Sequence, residues 1–199
     1  MIAKGGRGFV GLGVLATIAS LPFEKYAAIG FGAFTVFLAI MFRDPRRTIG
    51  KGIVAPADGT IREVDPSTGL VSTYLGLRNV HVTRAPIPGV VEKTEIIKGS
   101  HMPAFAKTST RNQRFEVLVK TKIGQVRAVE MVGAIARRIV PYITEGQSLA
   151  KGEKLSLIRF GSRVDLFLPV GAVRIMVEKG QNVKAGHTQI AEVLDGRLE

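Results

Sequence analysis

The chain contains no cysteine among its 199 residues and only three histidines, His81, His101 and His187. The absence of cysteine excludes disulfide bonds, thiol nucleophiles and thiolate-bound metals. Three histidines scattered along the chain do not suit a histidine-rich metal centre, so we predict no metal site. Chemistry that depends on thiols or on a clustered metal is therefore not expected.

Acidic and aromatic residues are also scarce. Sixteen Asp and Glu stand against 28 Lys and Arg, which gives a net charge of +12. This surplus suits an anionic partner, either nucleic acid or an acidic lipid surface, although solubility alone would also account for it. There is no tryptophan, and six of the 13 Phe and Tyr residues (10 + 3) lie within residues 9–37. A base-stacking surface needs aromatics among the basic residues of the body, so we predict a membrane partner and no nucleic acid.

Two apolar runs dominate the N-terminal segment, residues 8–21 and 26–42. A membrane crossing needs about 20 apolar residues, with a lower limit of about 17, so the second run is long enough to span and the first is marginal. Basic residues flank the two runs, and the positive-inside tendency places them in the cytoplasm. We predict that residues 1–47 form a helical hairpin at the cytoplasmic face of the cell membrane, bound peripherally or as an anchor. The alternative is a hairpin buried in a soluble core.

From residue 48 to residue 199, β-branched residues alternate with polar ones, and Gly and Pro interrupt the runs. This pattern predicts a mostly β domain, a sandwich or barrel-like body, without a sustained helical period. One predicted hairpin joins residues 53–54 to residues 60–64 through the turn residues Asp58-Gly59. Further strands are predicted at residues 71–75, 80–84, 89–97, 115–121, 125–132, 136–141, 154–160, 163–168, 173–178 and 188–193.

Two seven-residue segments of this body resemble each other at a spacing of 34 residues. Residues 146–152 and 180–186 both read Gly-Gln-polar-apolar-x-x-Gly. Glycine at both ends allows the positive φ angles of a tight reversal. Two copies are too few for a solenoid, but they suit a duplicated β hammerhead that closes a sandwich or barrel.

Three segments carry residues suited to chemistry: residues 55–60 around Asp58, residues 79–86 around His81, and residues 158–169 around Gly161-Ser162. Taken singly, the Asp-Gly and Gly-Ser pairs are ordinary turn dipeptides, and a histidine on a strand face is ordinary too. In this order and spacing the three segments resemble the short form of the phosphatidylserine decarboxylase family, which includes archaetidylserine decarboxylases. The resemblance begins at Phe-Arg-Asp-Pro (residues 42–45), takes in residues 133–139 and runs almost to the C-terminus.

Two positions depart from the family pattern. Gln113 stands where the Asn-Glu-Arg motif of the family has Glu, which leaves its role open. Long-form members carry a second histidine three residues after the first, and Arg84 occupies that position here, so His81 would act alone. The sequence identifies no partner for His101, and we treat it as a loop residue.

The resemblance implies that Asp58, His81 and Ser162 form a self-processing triad. A serine hydroxyl needs a base, a histidine with a pKa of about 6.5 can take and return its proton, and an aspartate can hold the imidazole tautomer. Ser162 would attack the carbonyl of Gly161, where glycine puts no side chain in the way. The expected products are a β chain of residues 1–161 and an α chain of residues 162–199 that begins with a pyruvoyl group derived from Ser162.

The implied reaction converts a serine phospholipid to the ethanolamine phospholipid, with the pyruvoyl group as covalent cofactor and electron sink. His81 would protonate the carbon that loses CO₂. Arg84, Arg137 and Arg138 would bind the lipid phosphate, unless they are simply solvated. Acyl-ester and isoprenoid-ether tails share this head group, so both stay open, as does a homo-oligomer. The rival function is a non-enzymatic, membrane-anchored β-sandwich binding module, which predicts an uncut chain of 21.4 kDa.

Overall fold

A computed structural model describes residues 1–100, 111–133, 138–159 and 162–194. The chain divides into two compact units, Met1–Pro45 and Arg46–Glu199. The first unit contains a 3-10 turn, Lys4–Gly6, and two helices, α1 (Arg7–Ser20) and α2 (Lys25–Met41), which occupy the two apolar runs. Glu24 caps α2, because its carboxylate accepts a 3.0 Å hydrogen bond from the Tyr26 N–H.

The two helices pack against each other at a glycine of α1. A Cβ atom on Gly13 would lie 2.5 Å from Thr35 Oγ1, so glycine lets α2 approach this closely. One turn further along α1, Thr17 Oγ1 lies 3.5 Å from Thr35 Oγ1. Within the described residues, no helix is both long enough and apolar enough to cross a membrane. Many large apolar side chains of the two helices are exposed, among them Leu12, Leu15, Ile18, Ile29, Phe34 and Val36.

The second unit is built from strands, so the prediction of a mostly β body is confirmed. All pairings between these strands are antiparallel. Within the described residues the strands are β1 (Ile53–Val54), β2 (Gly59–Asp65), β3 (Leu70–Leu75), β4 (Val82–Arg84), β5 (Gly89–Ile97), β6 (Arg114–Thr121), β7 (Gly124–Val132), β8 (Ile139–Pro141), β9 (Ser148–Leu149), β10 (Lys154–Ile158), β11 (Ser162–Phe167), β12 (Val173–Ile175), β13 (Asn182–Val183) and β14 (Gln189–Val193).

The strands form three sheets. The largest has eight strands in the order β13-β2-β3-β11-β7-β6-β5-β9, and two smaller sheets have the orders β4-β10-β8 and β1-β14-β12. Successive side chains of a strand point to opposite faces, so alternate residues of the large sheet face the core. The core cluster joins this face to β10 and β14, and it includes Val71, Leu75, Phe115, Val117, Ala128, Leu155, Ile158, Val164, Leu166 and Ile190.

The hairpin predicted at Asp58-Gly59 is wrong. β1 pairs with β14 rather than with β2, and β2 pairs with β3 and β13. Gly59 is the first residue of β2, where a Cβ atom would lie 2.1 Å from the Tyr74 carbonyl oxygen. The glycine is therefore needed for the close approach of β3 and does not close a turn.

The two similar turn segments adopt the same conformation. Their terminal glycines all have φ angles between 72° and 95°, so the positive φ predicted at these positions is confirmed. Their hydrogen bonds also correspond, because Gly146 N–H donates to Val91 O and Gly180 N–H donates to Ile61 O, each at 2.8 Å. Each turn also contains a two-residue strand, β9 or β13, that the alternation of residues did not predict.

Candidate active site

Ser162 is the first residue of β11, in the interior of the eight-stranded sheet. It lies opposite Leu75 of β3 on one side and Val132 of β7 on the other. The residue is fully buried, and its Oγ atom has no hydrogen-bond partner among the described residues. An unsatisfied buried hydroxyl costs about 1–3 kcal/mol, so it calls for an explanation other than packing. Gly161, the other half of the predicted cleavage site, lies outside the described residues.

Antiparallel pairing brings the predicted site residues to one end of this sheet. β2 begins directly after Asp58, β3 ends at Leu75, and β11 begins at Ser162. Because β2 and β11 both pair with β3, Asp58 lies two strands from Ser162, which is roughly 10 Å at the usual strand spacing. The loop that leaves the end of β3 leads to His81.

His81 is buried and is held by this loop. Its Nδ1 atom lies 2.9 Å from the carbonyl oxygen of Asn79, and the Asn79 side chain accepts a 2.8 Å hydrogen bond from the Gly76 N–H. The His81 carbonyl accepts a 3.0 Å hydrogen bond from the N–H of Ile158, four residues before Ser162. Because a carbonyl can only accept, Nδ1 carries the hydrogen, and Nε2 is the basic nitrogen of the neutral ring.

The Asp58 carboxylate binds groups other than His81. Oδ2 accepts a 2.7 Å hydrogen bond from Arg47 Nη2, and Oδ1 accepts a 2.8 Å hydrogen bond from the Ala185 N–H. Both side chains of the ion pair are largely buried, with 13% of Arg47 and 10% of Asp58 exposed. The structure thus brings Asp58 to the same sheet end as Ser162, but the Nδ1 atom of His81 is held by Asn79.

A buried acid that was not singled out in the sequence lies beside Ser162. Glu130 of β7 is fully buried and precedes Val132 by two residues, so it is on the same sheet face as Ser162 and diagonal to it, about 7–8 Å away. Glu130 Oε1 accepts a 2.7 Å hydrogen bond from Thr83 Oγ1, and Oε2 makes a short hydrogen bond with Ser156 Oγ. Burial raises the pKa of Glu130 to about 7, against the opposing effect of the two hydroxyl donors.

The arginines predicted to bind a lipid phosphate differ in their surroundings. Arg84 is buried, and its Nη1 donates a 3.0 Å hydrogen bond to the Gly152 carbonyl. Arg138 is exposed, and Arg137 lies outside the described residues. A further arginine, Arg159, lies beside Arg138, because its N–H donates a 3.3 Å hydrogen bond to the Arg138 carbonyl. Burial, followed by the positive charge of Arg138, lowers the pKa of Arg159.

The Asn-Gln-Arg segment supports the strand end opposite Ser162. Asn112 is buried and donates a 2.7 Å hydrogen bond from Nδ2 to the Val132 carbonyl. The Gln113 carbonyl accepts a 3.1 Å hydrogen bond from the Val132 N–H. Gln113 makes this contact through its backbone, so the contact does not depend on whether the side chain is Gln or Glu. His101 lies outside the described residues.

Known proteins resemble this chain over almost its whole length. The sequence model of the family described as phosphatidylserine decarboxylase matches residues 34–191. A Methanosarcina mazei protein named archaetidylserine decarboxylase proenzyme is 40% identical over 209 aligned residues, which cover 99% of each chain. The protein of the same name from Methanosarcina acetivorans is 39% identical with the same coverage. A phosphatidylserine decarboxylase proenzyme of Streptomyces coelicolor is 42% identical over 170 residues, 83% of this chain and 78% of the relative.

Proposed function

The chain belongs to the phosphatidylserine decarboxylase family, and we propose that it cuts its own Gly161–Ser162 bond and decarboxylates a serine phospholipid through a pyruvoyl group on residue 162. As a member of this family the chain is a lyase. The name proenzyme, carried by its relatives, describes a precursor. The observation that carries the proposal is the buried Ser162 Oγ atom, which has no hydrogen-bond partner among the described residues. A nucleophile reserved for reaction would account for this unsatisfied group.

In the proposed cleavage, Ser162 Oγ bonds to the Gly161 carbonyl carbon as the C–N bond between the two residues breaks, which turns the peptide into an ester. His81 Nε2 takes the hydroxyl proton and returns it to the leaving nitrogen. Loss of the Ser162 α-proton then releases Gly161 as a carboxylate and leaves dehydroalanine. Hydrolysis of dehydroalanine consumes water, releases ammonia and leaves the pyruvoyl group. A positioned base of this kind contributes about 10²–10⁴ in rate.

Asp58 supports the site by joining the two fragments. Ala185, whose N–H donates to Asp58, belongs to the proposed α chain, whereas Asp58 and Arg47 belong to the β chain. The bond between Asp58 and Ala185 therefore crosses between fragments after the cut. We assign Asp58 to this positioning role, and we assign the tautomer of His81 to the Asn79 carbonyl.

A pyruvoyl group fits the position of Ser162. It carries no hydrogen-bond donor, so it does not need the acceptor that the Ser162 hydroxyl lacks. When present, the group supplies an electron sink for the loss of CO₂. Leu75 and Val132 hold residue 162 from the two neighbouring strands, and His81 would return a proton to the substrate carbon that loses CO₂.

Arg138 and Arg159 are the residues that we assign to the lipid phosphate. Two adjacent guanidinium groups repel each other, and a phosphate between them removes this repulsion while it accepts their hydrogen bonds. Arg159 also precedes Ser162 by only three residues, which keeps it close to the reacting position. Arg84 is bound to a backbone carbonyl, and we assign it a structural role instead. A phosphate contact by Arg137 stays a prediction.

The first unit supports contact with the membrane that holds the substrate. Its two helices expose large apolar side chains, and burial of such side chains among lipid tails is favourable. The net charge of +12 adds attraction to anionic head groups. We therefore assign the first unit, Met1–Pro45, to the cytoplasmic membrane surface, as the segment through which the enzyme reaches its lipid substrate.

Intact mass spectrometry of the purified chain tests self-processing. Wild type should give fragments of residues 1–161 and 162–199, and the smaller fragment should lack a free amino terminus. Ser162→Ala should stay whole, whereas Ser148→Ala, at an exposed position of β9, should be cut like wild type. Protein that has been cut should then release CO₂ from a serine phospholipid. A wild-type chain that stays at 21.4 kDa but binds lipid vesicles would overturn the proposal in favour of the binding module.

A further inference from the structure

We infer that Glu130 is a positioning residue for self-processing. Through a closed ring of hydrogen bonds with Thr83 and Ser156, it holds β4, the strand that follows His81, against β7, the strand that pairs with the Ser162 strand. The inference rests on the proposed cleavage at Ser162. All three members of the ring have no exposed surface. They come from three different strands, β7, β4 and β10.

The ring joins two sheets at the predicted site. Thr83 and Ser156 are paired neighbours in the three-stranded sheet, whereas Glu130 belongs to the eight-stranded sheet. Thr83 follows His81 by two residues, and β10, which carries Ser156, leads into the predicted cleavage segment. On the other side, Glu130 precedes Val132, the strand partner of Ser162, by two residues. The ring therefore connects the strand that follows His81 to the strand that pairs with the Ser162 strand.

The number of hydrogens decides how the ring closes. Thr83 Oγ1 lies 2.7 Å from Glu130 Oε1 and 3.0 Å from Ser156 Oγ, and the short contact between Ser156 Oγ and Glu130 Oε2 completes the ring. Three contacts need three hydrogens, and the two hydroxyl groups supply only two. A protonated carboxyl supplies the third, so that Glu130 donates to Ser156, Ser156 to Thr83 and Thr83 back to Glu130. An ionised carboxylate leaves one contact without a hydrogen and buries a charge, which loosens the ring.

The surroundings of Glu130 favour the protonated form. The facing positions of the neighbouring strands are apolar or hydroxyl-bearing: Thr73 and Leu75 of β3, Phe115 and Val117 of β6, and Ser162 and Val164 of β11. On the side of the three-stranded sheet β4-β10-β8, the titratable or charged residues are His81, Arg84 and Lys154, and Arg84 is bound to the Gly152 carbonyl. Burial thus dominates, and it raises the pKa of Glu130 to about 7.

This arrangement predicts a falling limb in the pH dependence of cleavage. With a pKa of about 7, the protonated fraction of Glu130 drops about tenfold between pH 6 and pH 8. In the pH range where His81, the base, is already deprotonated, the cleavage rate should fall by a similar factor because Glu130 loses its proton. Deprotonation of His81, which must be neutral to act as the base, accounts for a rise at lower pH, so the full profile should be bell-shaped.

The experiment uses full-length chains that are labelled during cell-free synthesis. They are shifted to buffers from about pH 5.5 to about pH 9, and the rate of fragment release is measured at each pH. Glu130→Gln retains a donor and an acceptor in the ring, so it should keep the rising limb and lose the falling one. At pH 8 it should be cut about tenfold faster than wild type.

Glu116→Gln is the matched control, because Glu116 lies on the other face of the same sheet and accepts a hydrogen bond from Arg114. It should retain the wild-type profile. A falling limb of unchanged midpoint in Glu130→Gln would overturn the inference while leaving self-cleavage intact. A wild-type chain that is not cut at any pH would overturn the proposed function and this inference with it. Each substitution is also made in the uncut Ser162→Ala chain to test whether the precursor folds. A Glu130→Gln precursor that cannot fold would also contradict the inference that Glu130 is uncharged in the ring.

Discussion

Asp58→Asn is expected to destabilise the uncut precursor by about 2–3 kcal/mol. Asparagine keeps an oxygen that can accept the Ala185 N–H, but it removes the charge that pairs with Arg47. Loss of one partner from a fully buried ion pair costs about 3–5 kcal/mol, whereas an exposed pair contributes about 0–1 kcal/mol. With 13% and 10% of the two side chains exposed, the pair lies near the buried limit, and water reaches the remaining guanidinium only in part.

Urea unfolding of chains that carry Ser162→Ala, the uncut background, measures this free energy without fragment separation. Asp65→Asn is the matched control, since it makes the same change at an exposed carboxylate bonded to Ser67 and Thr68. Addition of Arg47→Gln to Asp58→Asn should cost little more, because the pair is already broken. A loss for Asp58→Asn no larger than that for Asp65→Asn would refute the positioning role assigned to Asp58.

The same substitution in a cleavable chain separates two roles for Asp58. If Asp58 sets the tautomer of His81, Asp58→Asn should slow cleavage by orders of magnitude even in the folded protein. We expect a much smaller effect, because the Asn79 carbonyl already bonds to Nδ1 of His81 at 2.9 Å. Cleavage followed at a temperature where the variant is folded provides the measurement, and a rate as low as that of His81→Ala would contradict our assignment.

Three further outcomes are expected. In the uncut background the free energy of unfolding should fall by up to about 3 kcal/mol between pH 4.5 and pH 7. The reason is that the folded state raises the pKa of Glu130 from 4.5 to about 7, so it holds the proton more tightly than the unfolded chain does. Urea titrations should show a smaller fall for Glu130→Gln, and an equally steep fall in this variant would contradict the raised pKa of Glu130. His81→Ala should slow fragment release by about 10²–10⁴-fold at a temperature where the variant is folded, and a rate near wild type would exclude His81 as the base. Leu15→Gln combined with Phe34→Gln should weaken cosedimentation with anionic vesicles, whereas Met176→Gln, at a similarly exposed apolar position of the second unit, should not.

Features set by local pattern could be predicted from the sequence. Alternation of apolar and polar residues indicated most strands of the second unit, because a strand between core and solvent needs one apolar face. The repeated glycines gave the two similar turns, because few other residues adopt a positive φ without strain. The family motifs indicated Asp58, His81 and Ser162 as site residues, and antiparallel pairing brings Asp58 and Ser162 to one end of the large sheet.

Features set by distant partners could not be predicted in this way. Alternation gives the face of a strand but not its neighbour, so the pairing of β1 with β14 was missed and a hairpin was expected instead. Likewise, nothing in the local sequence shows that the guanidinium of Arg84 reaches the Gly152 carbonyl. Glu130 left one signal, since it interrupts an apolar alternation at Val126, Ala128 and Val132, but its meaning depends on hydroxyls from two other strands.

The position of the proposed α chain in the sheets connects folding to processing. β11 lies between β3 and β7 in the large sheet, β13 pairs with β2, and β14 lies between β1 and β12. Three strands of the smaller fragment are therefore hydrogen-bonded to the larger one, so a cut before β11 would not release it. Ser162 meets Leu75 and Val132 only after these distant strands have paired. If the same pairing also brings up His81 and the Glu130 ring, as we propose, then cleavage must follow folding, and only a folded chain would acquire its cofactor.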